Sequence, residues 1–243
     1  MLELEIKSII KRVPSKSGVT EPYICECNDG RTYFAKGYSA GAIECIRELI
    51  AAAIGTRFGL PIPPFGVAKT SGLYTSIDDI PVDFKGLRGM PAFVSQKIDN
   101  CVDYIAMNKP FKSEMQLLYS RILFFDWWIQ NPDRTKDHSN LLEHTENGQI
   151  YVIDHNMVLN NDVHDSLDAF VSSHAFGGYA DLYTFLPDTY KDEMDRVLSS
   201  WDEIVNMVPD EWVELCSERN IFDNMKNILN RYNVEPASFW KAR

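Results

Sequence analysis

The sequence predicts an α+β chain, with a β-rich first lobe over residues 1–97 and a helical second lobe over residues 98–243. Three observations carry this. Short β-branched or alternating runs, punctuated by Gly, Pro, Asn and Asp, crowd the first lobe. From about residue 98 the apolar residues recur every three or four positions, the helical period. The chain is 45% apolar and 24% charged, close to globular averages, so neither disorder nor low complexity describes it.

Leu4, Ile6 and Ile9-Ile10 mark a first strand, followed by a polar, turn-rich stretch from Pro14 to Gly18. Tyr23 to Cys27 and Tyr33 to Lys36 flank Asn28-Asp29-Gly30, a local hairpin signal. A helix is expected over 42–58, with Ile43, Ile46, Ile50, Ala53 and Ile54 on one stripe and Gly59 and Pro61 as the stop. Gly66 to Ala68 and Pro91 to Val94 read as two further strands. Residues 113–130 carry Leu117, Leu118, Ile122, Phe125 and Ile129 at helical spacing, ended by Asn131-Pro132 because the residue before proline is pushed out of the helical region. Asn140 to Leu142 and Tyr151 to Ile153 read as strands joined through Glu146-Asn147-Gly148, and helices follow over roughly 188–207, 210–218 and 221–231.

No run approaches the roughly 20 apolar residues of a membrane helix, and Glu3 and Glu5 stand where a secretory signal carries positive charge. The chain is expected to be soluble, non-exported and cytoplasmic. Its 24 basic and 35 acidic residues give a net charge of -11, with no Lys/Arg-rich run, so nucleic acid is not expected as a direct ligand. The five cysteines form no CxxC pair, and they read as buried reduced thiols.

Asp133, Asn140 and Asp154 sit around the second hairpin, and phosphoryl transfer from ATP calls for this equipment. One carboxylate orients the attacking hydroxyl and accepts its proton, while a carboxylate and an amide oxygen hold Mg²⁺, which prefers hard oxygen ligands. A lysine upstream must meet the phosphates, and a helix glutamate must hold that lysine. Lys36 closes the third strand, and Glu44 and Glu48 lie on the next helix, four apart on one face, so spacing does not choose between them. The order Lys, Glu, Asp, Asn, Asp is that of protein-kinase-like folds.

The stretch Asp126-Trp127-Trp128-Ile129-Gln130-Asn131-Pro132-Asp133-Arg134, then Asn140-Leu141-Leu142, then Ile153-Asp154-His155, resembles the catalytic segment of HipA-type kinases and the related phosphoinositide kinases. Arg47-Glu48-Leu49 through Gly59-Leu60-Pro61-Ile62-Pro63-Pro64 is similar to the helix and turn of short HipA-like kinases, and Val208 to Trp212 is more weakly similar. The resemblance implies a two-lobed protein-kinase-like fold, ATP and Mg²⁺ as ligands, and a serine or threonine of a protein as acceptor. It implies Asp133 as catalytic base, Asn140 and Asp154 as metal ligands, and Lys36 held by Glu48 at the phosphates. Ser15, Ser17 and Gly18 fall where such folds cover the phosphates, and backbone groups around Gln96 and Lys97 fall where adenine pairs. HipA toxins often have a DNA-binding antitoxin, but no surface for such a regulatory partner can be read in this chain.

The sequence departs from the family at one place. The metal-binding asparagine usually lies five residues after the catalytic aspartate, and that position is His138. Asn140, seven on, directly precedes the apolar strand as the family's asparagine does, so a longer loop restores the register. If neither binds metal, a nucleotide-binding pseudokinase that recruits a partner is the alternative; a small-molecule kinase is another, and nucleotidyl transfer stays open. Asp126 fits loop support as well as chemistry, and Arg134 fits an anchor of the catalytic loop. A phosphohydrolase cluster of Asp154, His155, His164 and Asp165 can be drawn, but such hydrolases are all-helical and this chain opens in strands.

Overall fold

The computed structural model describes residues 4–14, 21–70, 82–160 and 166–240. The chain divides into two compact units, Met1–Ala52 with Pro63–Asp99 and Val205–Arg219, and Ala53–Ile62 with Asn100–Ile204 and Asn220–Arg243. The α+β expectation holds: strands dominate the N-terminal part and helices the C-terminal part. Among the described residues no helix is long and apolar enough to cross a membrane.

In the first unit β1 (Leu4–Arg12), β2 (Tyr23–Cys27), β3 (Thr32–Lys36), β4 (Phe65–Lys69) and β5 (Ala92–Gln96) close a barrel in the order β1-β2-β3-β5-β4. All pairs are antiparallel except β1 with β4, where Leu4 lies opposite Ala68. The β2–β3 turn is built as its residues demand. Gly30 donates its N–H to the Cys27 carbonyl (2.9 Å) and takes φ +75°, the left-handed residue that follows a type I turn in a three-residue hairpin loop. Tyr23, Cys25 and Cys27 point inward and Glu26 outward, the two-residue alternation of a half-buried sheet. Burial pushes the Cys25 thiol up to about 12, helped by the neighbouring Cys27, and burial with the Asp29 charge does the same for Cys27. Both are free, buried and unreactive, as the sequence suggested; Cys101 and Cys216 are half-buried. In the same unit α6 (Asp210–Leu215) is fastened by Trp212, which donates its indole N–H to the Pro91 carbonyl (2.8 Å).

Helix α1 (Ala42–Arg57) ends where Gly59 was expected to stop it. Gly59 takes φ +81°, its N–H bonds the Thr56 carbonyl (3.1 Å), and Leu60 N–H bonds the Gly55 carbonyl (2.9 Å). This pair of bonds is the Schellman closure, which needs a left-handed residue after the last turn.

The second unit packs α2 (Gln116–Trp128), α3 (Leu167–Ser173), α4 (Pro187–Leu198), α7 (Ile221–Leu229), α8 (Arg231–Val234) and α9 (Pro236–Phe239) with the antiparallel sheet β6 (Cys101–Asp103), β7 (Leu141–His144), β8 (Ile150–Val152). Three expectations shift here. The helix expected at 113–130 begins as a 3-10 turn at Ser113–Met115, and Leu117 is 73% exposed rather than in the core. From Tyr119 to Ile129 every residue but Arg121 is buried, so α2 is a core helix wrapped on all sides rather than a one-stripe helix. The helix expected at 188–207 breaks after Leu198, because Ser199 and Ser200 turn their hydroxyls back onto the Arg196 and Val197 carbonyls (2.7 Å each), and α5 (Trp201–Val205) follows. The helix expected at 221–231 ends at Leu229, and α8 starts a separate short turn at Arg231.

Candidate active site

In the first unit the last residue of β3 and the second turn of α1 meet in an ion pair: Lys36 Nζ donates to Glu48 Oε1, with side chains only 11% and 3% exposed. Glu48, not Glu44, is therefore the lysine's partner. The backbone N–H groups of Gln96 and Lys97 are both engaged, with the Pro64 carbonyl (2.7 Å) and the Thr32 carbonyl (2.9 Å). An adenine contact at this strand end would have to use carbonyls rather than those N–H groups. Ser15, Ser17 and Gly18, and likewise His164 and Asp165, lie outside the described residues.

In the second unit the catalytic-segment residues come together. Asn140 Nδ2 donates to Asp133 Oδ2 (2.8 Å), and His138 Nδ1 lies 3.4 Å from Asp133 Oδ1. Ile153 N–H bonds the Asn140 carbonyl (3.1 Å), at the open end of the hairpin where Leu141 faces Val152. Asp154, next in the chain, therefore lies at the same hairpin end as Asn140. Both take left-handed backbone, Asn140 at φ +48° and Asp154 at φ +57°. Asp and Asn tolerate that region better than other side chains, and such outliers gather at functional sites. The Asp133 side chain is 34% exposed, open enough to meet a substrate. With its Nδ2 committed to Asp133, Asn140 keeps a hard amide oxygen for a cation. That donor set, the Asp154 carboxylate and the Asn140 amide oxygen, suits Mg²⁺.

What holds these groups is buried. Arg134, 1% exposed, commits all five of its N–H groups. Nε donates to Asp126 Oδ2 (2.6 Å), Nη1 to the Ser139 (3.0 Å) and Asn140 (2.7 Å) carbonyls, and Nη2 to Asp126 Oδ1 (3.4 Å) and His155 Nε2 (3.3 Å). Because Arg134 only donates, His155 accepts on Nε2 and is a neutral imidazole carrying its proton on Nδ1. Asp126, on α2 and wholly buried, also accepts from Asn131 Nδ2 (2.7 Å), and Asn131 Oδ1 in turn accepts from Asp133 N–H (3.1 Å). Asp126 and Arg134 thus support the loop rather than react, the structural side of the two roles their sequence allowed. Asn131, Ser139 and His174 escaped the sequence reading. Asn131 had a signal in its place before Pro132, whereas His174 lies in a segment with no motif.

Burial alone would push the Asp126 carboxyl up, but the Arg134 charge and the His174 hydrogen bond outweigh it and hold it well below the usual carboxylate range. The folded state therefore binds this proton less readily than the unfolded chain, whose aspartate titrates near about 4. The resulting stabilisation is complete above that value, begins to be lost as the pH falls below it, and goes on being lost down to the lowered value of the folded state. The melting temperature is expected to fall more steeply from pH 5 to pH 3 in the wild type than in Asp126→Asn. Equal acid slopes in thermal melts of the two would refute the assignment.

The chain belongs to the HipA-like kinase family, whose sequence model matches residues 6–243. No curated protein sequence matches it. Among solved structures it is similar to the Helicobacter pylori proinflammatory kinase CtkA at 12% identity, with 95% of each chain covered and a TM-score of 0.49. It is also similar to the Golgi casein kinase, at 12% identity over 97% of this chain and 77% of that one, TM-score 0.46. The same kinase with Mn/ADP bound aligns at 12% identity over 95% and 75%, TM-score 0.48.

Proposed function

We propose that this chain transfers the γ-phosphoryl group of ATP to a hydroxyl, with a protein serine or threonine as acceptor. The observation that carries the reading is the bond between Asn140 and Asp133 at the hairpin end where Asp154 also lies (2.8 Å), in a chain of the HipA-like kinase family. Asp133 is the base: Asn140 pins Oδ2, so the carboxylate presents a fixed face to an incoming hydroxyl and accepts its proton as the new P–O bond forms. Asn140, through its free amide oxygen, and Asp154 are the residues that would hold Mg²⁺. When bound, the cation offsets the charge of the phosphates. Lys36, held in an ion pair by Glu48, is assigned to the phosphates as well.

The test is incubation of the purified chain with Mg²⁺ and γ-labelled ATP, with and without cell lysate, alongside a thermal melt. Label on protein, and a melt raised by Mg-ATP, are expected. A ligand at about 100 times its Kd stabilises the folded state by roughly 2.7 kcal/mol. For a chain of this length that amounts to roughly 5–11 °C. Intact ATP together with a raised melt would leave a nucleotide-binding pseudokinase, and no shift at all would remove the nucleotide site.

A further inference from the structure

We propose that His174 is a positioning residue for phosphoryl transfer, acting through Asp126 and Arg134 on the backbone of Asn140; this rests on the assignment of Asp133 and Asn140 above. The imidazole has both nitrogens committed. Phe176 N–H donates to Nδ1 (3.0 Å), so Nδ1 accepts and the proton sits on Nε2, which donates to Asp126 Oδ2 (3.0 Å). The backbone around it is stitched to the catalytic loop: His174 bridges to Thr135, and Ala175 N–H bonds the Arg134 carbonyl (2.9 Å). All four groups, Asp126, Asn131, Arg134 and His174, are at most 2% exposed.

The reason for a positioning role lies in the torsion of Asp126. An aspartate carboxylate turns in a broad, two-fold well about its last bond. Arg134 grips it unevenly, at 2.6 Å through Nε and 3.4 Å through Nη2. Asn131 on Oδ1 (2.7 Å) and His174 on Oδ2 (3.0 Å) fix the plane from opposite edges. With the His174 donor gone, the plane is held only by Asn131 and the uneven Arg134 grip, so it can tilt and the guanidinium can shift with it. Arg134 Nη1, which holds the Ser139 and Asn140 carbonyls, then loses its aim, and Asn140 is left in left-handed backbone with a weaker restraint. Small misplacements of this kind, about 1 Å, cost about 100-fold in rate.

Two substitutions divide the imidazole's contacts. His174→Asn keeps an acceptor near Phe176 but does not reach Asp126; His174→Gln reaches Asp126 with an amide donor. Steady-state ADP formation from Mg-ATP by the full chain is the readout, with water taking the phosphoryl group in place of the protein hydroxyl, and folded protein is counted from thermal melts. His174→Asn is expected to lower kcat about 10- to 100-fold with the KM for ATP within about twofold of wild type, and His174→Gln to recover kcat to within about threefold. Equal loss in both variants, or a loss in His174→Asn that vanishes once activity is scaled to folded protein, overturns the proposal while Asp133→Asn remains inactive as a control. A wild-type chain that forms no ADP, or an Asp133→Asn chain that forms it at the wild-type rate, overturns the functional reading and the proposal with it.

Discussion

Asp133→Asn is expected to bind Mg-ATP nearly as the wild type does and to transfer its phosphoryl group about 10²- to 10⁴-fold more slowly, the usual worth of a general base. The substitution is close to isosteric. It removes the proposed proton acceptor, and it exchanges a carboxylate oxygen that accepts from Asn140 Nδ2 (2.8 Å) for an amide that can still present an oxygen there. Asn140 and Asp154 stay where the hairpin puts them, because their backbone is fixed by the Ile153–Asn140 bond (3.1 Å) and by Arg134 rather than by Asp133. Asp154→Asn is the opposite case. It takes a negative charge from the ligand set proposed for the cation, so the Mg-ATP-dependent rise in melting temperature is expected to shrink along with transfer. Thermal melts with and without Mg-ATP, run beside labelled-ATP assays, read both quantities. Wild-type transfer by Asp133→Asn would strip Asp133 of its role and leave the fold untouched. A full nucleotide shift in Asp154→Asn would strip Asp154 of its own.

Local signals were legible wherever one or two residues dictate the backbone. Asp29-Gly30 marked the β2–β3 turn, Gly59 and Pro61 marked the end of α1, and Pro132 marked the end of α2, because Gly and Pro act through their own torsions. The Lys36–Glu48 pair needed the family's helix as well as spacing, since Glu44 shares the face; the ion pair itself and the burial of Glu48 separate them in the structure. The β6 strand and the α3 helix went unread. Three residues of strand, Cys101–Asp103, and seven of helix, Leu167–Ser173, are too short to show a period, and both depend on tertiary partners. The same limit hid His174. Its role depends on Phe176, Asp126 and Thr135, and a contact 48 positions away, as from His174 to Asp126, leaves no trace in local sequence. The Leu117 error came from the reverse cause: a helix buried on every side has apolar residues at every phase, so its one exposed leucine looks like part of the stripe.

Replacement of Arg134 is expected to have the largest effect on stability. Arg134→Met removes the partner of a wholly buried aspartate, and breaking a buried pair from one side costs about 3–5 kcal/mol. It also takes the Arg134 donor from the Ser139 carbonyl and His155 Nε2, and leaves the Asn140 carbonyl with the Ile153 N–H alone. A fall of roughly 6–20 °C in melting temperature follows for a chain of this size. Arg134→Lys is expected to do little better, since an ammonium offers three donors from one point where the guanidinium spreads five across a plane. The informative variant is the double substitution Asp126→Leu with Arg134→Met. Replacing both partners by apolar groups of similar shape removes the uncompensated charge and is often neutral or stabilising, so much of the lost melting temperature should return. Phosphoryl transfer should not return, because the Asn140 carbonyl then keeps only the Ile153 N–H, and the Asn131 side chain, which accepts from the Asp133 amide, loses its anchor on the Asp126 carboxylate. A double variant that regains both stability and transfer would show that the pair only holds the unit together. One that regains stability alone would show that a core charge pair, costly in itself, is kept because it fixes the catalytic loop.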